Sequence, residues 1–126
     1  MPTLEAVMTT QEVANRMSQL FKENKWDVAQ TELFAADAES FEPANSMALK
    51  HAKGLDEIRK KGQMFNSMVE EMHGGWVSEP QVAGNFISFG MGMDVTMKGG
   101  VGRMKMDEIA VYEVKDGKIV KEQFFF

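Results

Sequence analysis

Between Asn85 and Lys98 the chain alternates without a break. Ile87, Phe89, Met91, Met93, Val95 and Met97 fall on one side, and Ser88, Gly90, Gly92, Asp94 and Thr96 on the other. Period-two alternation over such a run predicts a half-buried β-strand. A strand this long does not stay flat. Its glycines 90 and 92 lie on the polar face, where a missing side chain permits a sharp bend. The run therefore predicts a strongly curved sheet with apolar material inside the curve. More strand follows: Gly99-Gly100 makes a turn, Gly102 to Lys115 is a strand, Asp116-Gly117 is a tight-turn signal, and Lys118 to Phe126 is the last strand. Upstream, Trp76 to Ala83 reads as a strand broken only by Pro80.

The first half reads differently. Thr9-Thr10-Gln11-Glu12 has the capping-box form, and Val13, Met17, Leu20 and Phe21 recur at helical spacing behind it. A second helix is expected at about Trp26 to Phe34, with Trp26, Ala29, Leu33 and Phe34 inward. A short strand from Ala38 to Glu42 is ended by Pro43, and another is expected around Leu49 to Lys53. Gly54 then opens a long helix with Leu55, Ile58, Phe65, Val69 and Met72 on one stripe, closed by His73-Gly74-Gly75. Residues 1–8 read as a loose leader, and the rest, with no repeat or linker, as one domain.

Helices first and an antiparallel meander after them make an α+β chain. The expected architecture is three helices packed in a strongly curved, mainly antiparallel sheet, a cone with a cavity at one end. Composition narrows the function classes. With 14 basic against 19 acidic side chains, the net charge of −5 disfavours nucleic acid as a partner. Zero cysteines exclude disulfides, thiolate metal sites and a cysteine nucleophile, and suit a reducing compartment. No secretory signal and no membrane-length apolar run is visible, so the chain reads as soluble and cytoplasmic.

Four segments carry a resemblance: Glu32-Leu33-Phe34-Ala35-Ala36-Asp37-Ala38, Phe41-Glu42-Pro43, Lys53-Gly54-Leu55-Asp56-Glu57-Ile58, and Asp116-Gly117-Lys118-Ile119-Val120. In this order the chain resembles the SnoaL-like branch of the nuclear transport factor 2-like superfamily, which includes ketosteroid isomerases and polyketide cyclases. The resemblance implies the cone-shaped α+β barrel, a small-molecule site inside it, and dimers formed through the outer sheet face. The fold also carries non-catalytic modules, so function has to be argued from the site.

Glu42 stands immediately before Pro43, the place that the resemblance gives to the isomerases' general base. Its competing reading is a loop cap or a solvated carboxylate. On the next-to-last strand Met104, Met106, Glu108, Ala110, Tyr112 and Val114 share one face, which puts Glu108 among apolar neighbours and Asp107 among polar ones. The resemblance implies a proton-donating carboxylic acid on this strand. Glu108 takes that place if the Asp116-Gly117 hairpin aligns on Tyr112, and Ala110 takes it after a two-residue slip. A strand-end bulge that turns Glu108 outward is the alternative. Glu122 alternates with Val120, Phe124 and Phe126 on an apolar face, as pocket lining or as an inward charge guarding an edge strand.

The isomerases' oxyanion-donating tyrosine has no counterpart, since Met17 or Ser18 occupies its place and Tyr112 lies elsewhere. His73 reads as a helix C-terminal cation or as a group at the cavity mouth, and His51 as a solvated strand residue. No metal-ligand spacing and no phosphate loop is present, so neither a metal nor another cofactor is expected. Met91, Met93, Met97, Met104 and Met106, five of the 12 methionines, fall on inward faces and suit an adaptable apolar lining or plain core. The expected lining is Met17, Phe21, Trp26, His73, Met91, Met93, Met106, Tyr112, Glu122 and Phe124. The expected ligand is a small apolar or carbonyl-bearing molecule. The functional expectation is an isomerase or cyclase with Glu42 as base and Glu108 as its partner; the rival is a non-catalytic binding or association module. A homodimer is expected through the outer face at Phe125.

Overall fold

The computed structural model describes residues 7–46 and 49–126. Helix α1 spans Thr10–Lys22 and starts on the expected capping box: the Thr9 hydroxyl accepts from the Glu12 amide and the Glu12 carboxylate from the Thr9 amide. Val13, Met17, Leu20 and Phe21 are all buried. Helix α2 spans Trp26–Leu33 and runs directly into strand β1, Phe34–Phe41. Trp26 departs from the inward reading: it is 39% exposed and covers Phe21 from outside, ring stacked on ring at 4.1 Å. Most of the expected leader lies outside the described residues; Val7 and Met8 pack against Gly117.

Strand β2 is only Ala52–Lys53, shorter than the expected Leu49–Lys53. Helix α3 runs Leu55–Met68. It stops well short of the expected end, because Val69–Val77 is strand β3 and pairs antiparallel with β5, Phe86–Met97. The helical stripe through Val69 and Met72 was a false extension. Pairing along β5, with Val69 opposite Met97 and Val77 opposite Met91, outweighs a weak local pattern. His73-Gly74-Gly75 therefore lies within a strand and caps no helix. Beyond Pro80, β4 is the short Gln81–Ala83, also paired with β5.

Strands β6, Gly102–Lys115, and β7, Lys118–Phe125, complete one seven-stranded sheet in the order β2-β1-β7-β6-β5-β3, with β4 attached to β5. All pairs are antiparallel except β1 with β7, which is parallel. The β6–β7 hairpin turns on Asp116 (φ 51°) and Gly117 (φ 74°), the left-handed pair that a tight two-residue turn demands. This is the expected α+β cone: three helices against the concave face of a curved, open sheet.

The core sits between α1 and the inner face. Ile87, Phe89, Met91 and Val95 alternate inward from β5, and Ala110, Tyr112 and Val114 from β6. Phe89 meets Phe21 and Tyr112 edge-on at centroid distances of 5.2 and 6.2 Å, arrangements worth about 0.5–1.5 kcal/mol each beyond area burial. On the outer face Trp76 lies across Gly90 and Gly92 and donates its indole N–H to Asp107 at 3.0 Å.

Candidate active site

Alternation along β1 sends Ala38, Ser40 and the following Glu42 to one side, and the first two are wholly buried. The same parity on β6 and β7 is visible in their register. Tyr112 stands opposite Glu122, Ala110 opposite Phe124, and on the other flank of β6 Glu108 stands opposite Met91. Ser40 is the parallel partner of Glu122. Three adjacent strands therefore bring Glu42, Glu108 and Glu122 to one region of the concave face.

Helix α3 supplies a fourth charged group. Lys61 Nζ donates to Glu42 Oε1 at 3.0 Å and to Ser40 Oγ at 2.5 Å, and lies 5.5 Å from the centre of the Phe124 ring. The Lys61 and Glu42 side chains are only 11% and 7% exposed. Glu42 is thus neither a loop cap nor a solvated carboxylate. Glu122 is buried too, and β7 is flanked by β1 and β6, so it guards no sheet edge.

The electrostatics follow from burial with too few cations. Desolvation, reinforced by the Glu42 and Glu122 charges and only partly opposed by Lys61, pushes Glu108 up to about 7. Desolvation likewise pushes Glu122 up to about 7, against the pull of the Ser40 hydroxyl and Lys61. Tyr112 is raised well above its usual value by burial and by the charges of Glu122 and Glu108. Near neutral pH the site thus holds carboxylic acids able to donate a hydrogen bond or a proton, beside a carboxylate paired with an ammonium. That is acid–base equipment. Among the described residues no group of His, Asp and Glu is arranged to hold a metal ion.

The remaining expected residues divide. Phe124, Met106 and Met93 are half-buried on the inner face, with Met93 paired to Met106, and Met91 is buried opposite Glu108. Met17, Phe21 and Tyr112 belong to the packed core. Trp26 sits outside Phe21. His73 is hydrogen-bonded to Thr96 Oγ1 at 2.7 Å and lies 3.5 Å from Glu71, on the face that carries Asp94, away from Glu42, Glu108 and Glu122. His51 is exposed, bonded to Glu39 and stacked on Phe41. Two depressions in the surface open on the other side of the sheet, one between Phe86, Val111, Glu113, Lys121 and Gln123, the other beside β4 and Val111.

Lys61 and Ser40 are site residues that the sequence reading missed. The signal for Lys61 was present: it falls between Ile58 and Phe65 on the apolar stripe of α3, where a cation needs a buried partner. For Ser40 the signal was its parity with Ala38 and Glu42.

A family model for the SnoaL-like domain matches residues 8–126. A crystal structure of a candidate SnoaL-like polyketide cyclase from Mesorhizobium loti is 33% identical, covers 94% of this chain and 100% of that one, and superposes with a TM-score of 0.87. A protein of ketosteroid-isomerase-like fold from Catenulispora acidiphila, in complex with trimethylamine, is 18% identical over 94% of this chain and 87% of that one, with a TM-score of 0.69. IdmH, a candidate polyketide cyclase from Streptomyces antibioticus, is 17% identical over 94% and 91%, with a TM-score of 0.66. No curated protein matches the chain. The last two structures bear on the fold alone.

Proposed function

We propose an acid–base function on a small carbonyl compound, starting from the fact that the chain belongs to the SnoaL-like domain family. The observation that carries the reading is the convergence of Glu42, Glu108 and Glu122 from three adjacent strands on the concave face. The ligand is a small apolar molecule with a carbonyl group, lying on the Met91, Met93 and Met106 side of Glu108. Glu42 removes a proton from the carbon next to the carbonyl. Glu108, in its protonated form, hydrogen-bonds the carbonyl oxygen as negative charge develops there. The same enolisation serves an isomerase, which returns the proton elsewhere, and a cyclase, whose enolate attacks a second carbonyl. The 33%-identical candidate cyclase favours the latter.

Enolisation can be read without knowing the natural substrate. With 1-tetralone in D2O, the protein should catalyse exchange of the protons next to the carbonyl, followed by NMR, and Glu42→Gln should abolish it. A wild-type protein that binds 1-tetralone but leaves its exchange at the solvent rate favours the rival reading, a binding module without chemistry. That rival draws on the packing of Met17, Phe21 and Tyr112 into the core.

The assembly we propose is a homodimer through the outer sheet face. Ile109 and Phe125 are directly opposed across β6–β7 and 54% and 47% exposed, with Phe86 at 45% on the same face. A second copy is the economical cover for such a patch. The compartment we propose is the cytoplasm, which a chain without cysteine suits; among the described residues no helix is long and apolar enough to cross a membrane.

A further inference from the structure

Lys61 stands out because a buried ammonium is costly unless its donors are used. Here they are. Nζ forks between Ser40 Oγ and Glu42 Oε1, two residues of one strand and one face, while Phe124 of β7 flanks it. Having accepted from Lys61, the Ser40 hydroxyl has its own proton free to donate to Glu122, its neighbour across the β1–β7 ladder. The charged groups that feel the ammonium are therefore Glu42 from β1, Glu108 from β6 and Glu122 from β7, with the Tyr112 phenol of β6 beside the last two.

We infer that Lys61 is the positioning residue of this site: its ammonium fixes the Glu42 carboxylate and, through Ser40, ties it to the buried Glu122, so that groups from α3, β1 and β7 are held as one linked set. This rests on the acid–base reading above and adds the device that orders it. Glu42 follows the last residue of β1 and precedes Pro43, which has no amide hydrogen to donate, so the strand ladder does little to hold its side chain. The hold comes from α3. A lysine also suits this fork better than an arginine, since the donors on its compact head can diverge to a hydroxyl and a carboxylate two residues apart, whereas a planar guanidinium presents a fixed fork.

The test is carboxyl NMR titration of Glu108 and Glu122, with 1-tetralone exchange measured alongside, in the wild type and in Lys61→Met. Removing the ammonium should move both midpoints upward, by about one pH unit, and slow exchange about tenfold or more. Midpoints that stay put in a folded Lys61→Met protein overturn the inference, whatever the exchange rate. Should Lys61→Met fail to fold, Ser40→Ala decides: the Glu122 midpoint should rise while that of Glu108 moves little, and an unchanged Glu122 overturns the linkage. Shifted midpoints in a protein with no exchange activity uphold Lys61's role and sink the enolisation reading alone. Exchange that is fast in wild type and equally fast in Lys61→Met sinks the positioning role alone.

Discussion

Tyr112 and Glu122 stand directly opposite each other across the β6–β7 ladder, both buried, and the glutamate makes the tyrosine harder to ionise. A phenol and a carboxyl group share this patch of the concave wall, where burial outweighs the pull of the Lys61 ammonium on Glu122. Folding therefore favours the protonated forms, and the consequences are measurable.

Stability should fall as pH rises. Glu122 moves from a reference of 4.5 to about 7 on burial, so the folded chain binds its proton more tightly than the unfolded chain. That contribution is fully present below about 4.5 and is lost as pH rises through about 7, for a total on the order of 3 kcal/mol. Glu122→Gln, which keeps the shape without the charge, should flatten this slope. Urea denaturation at pH 8 should find the variant more stable than wild type, and at pH 5 the two should be close. Identical slopes from pH 5 to 8 would show that Glu122 ionises freely in the fold.

Activity should decline on the alkaline side. If Glu108 donates in its protonated form, 1-tetralone exchange falls as pH rises through about 7. Glu108→Gln should cost roughly tenfold to a hundredfold at pH 6, because an amide is a weaker donor, and its profile should lose the alkaline fall. An unchanged alkaline limb would assign that titration to another group.

Phe125→Glu should dissociate the proposed dimer. The substitution places a charge opposite Ile109 in the middle of the outer apolar patch. Light scattering at micromolar concentration should give a dimer for wild type and a 14.2 kDa monomer for the variant. A monomeric wild type refutes the dimer, and a dimeric variant moves its interface elsewhere.

Gly92→Ala should loosen the outer face. A Cβ at Gly92 would land on Trp76 Nε1 and Asp107 Oδ1, the two ends of the indole hydrogen bond. The expected loss is about 1–3 kcal/mol in thermal or urea unfolding, with a change in Trp76 fluorescence as the ring is displaced. A variant with wild-type stability and fluorescence would show that the indole does not rest on Gly92 in solution.

The α+β order, the capping box of α1, the alternation of β5 and β6 and the Asp116-Gly117 turn were all legible in the sequence. Each is a local matter: a side chain and its neighbours within a few residues determine a helix cap, a strand parity or a left-handed turn. Parity alone sent Glu108 and Glu122 inward, and the observed register, Tyr112 on Glu122, then set them beside each other. Only the tertiary structure could end α3 at Met68, because what competes with the helix beyond it is a partner strand, β5, that the local pattern around Val69 does not contain. It alone made β7 an interior strand, through a parallel pairing with β1 across most of the chain, and so turned Glu122 from an edge guard into a buried acid. And it alone joined Lys61 to Ser40 and Glu42, since a contact between residues about twenty positions apart depends on how a helix is laid across a sheet, not on what either segment prefers by itself.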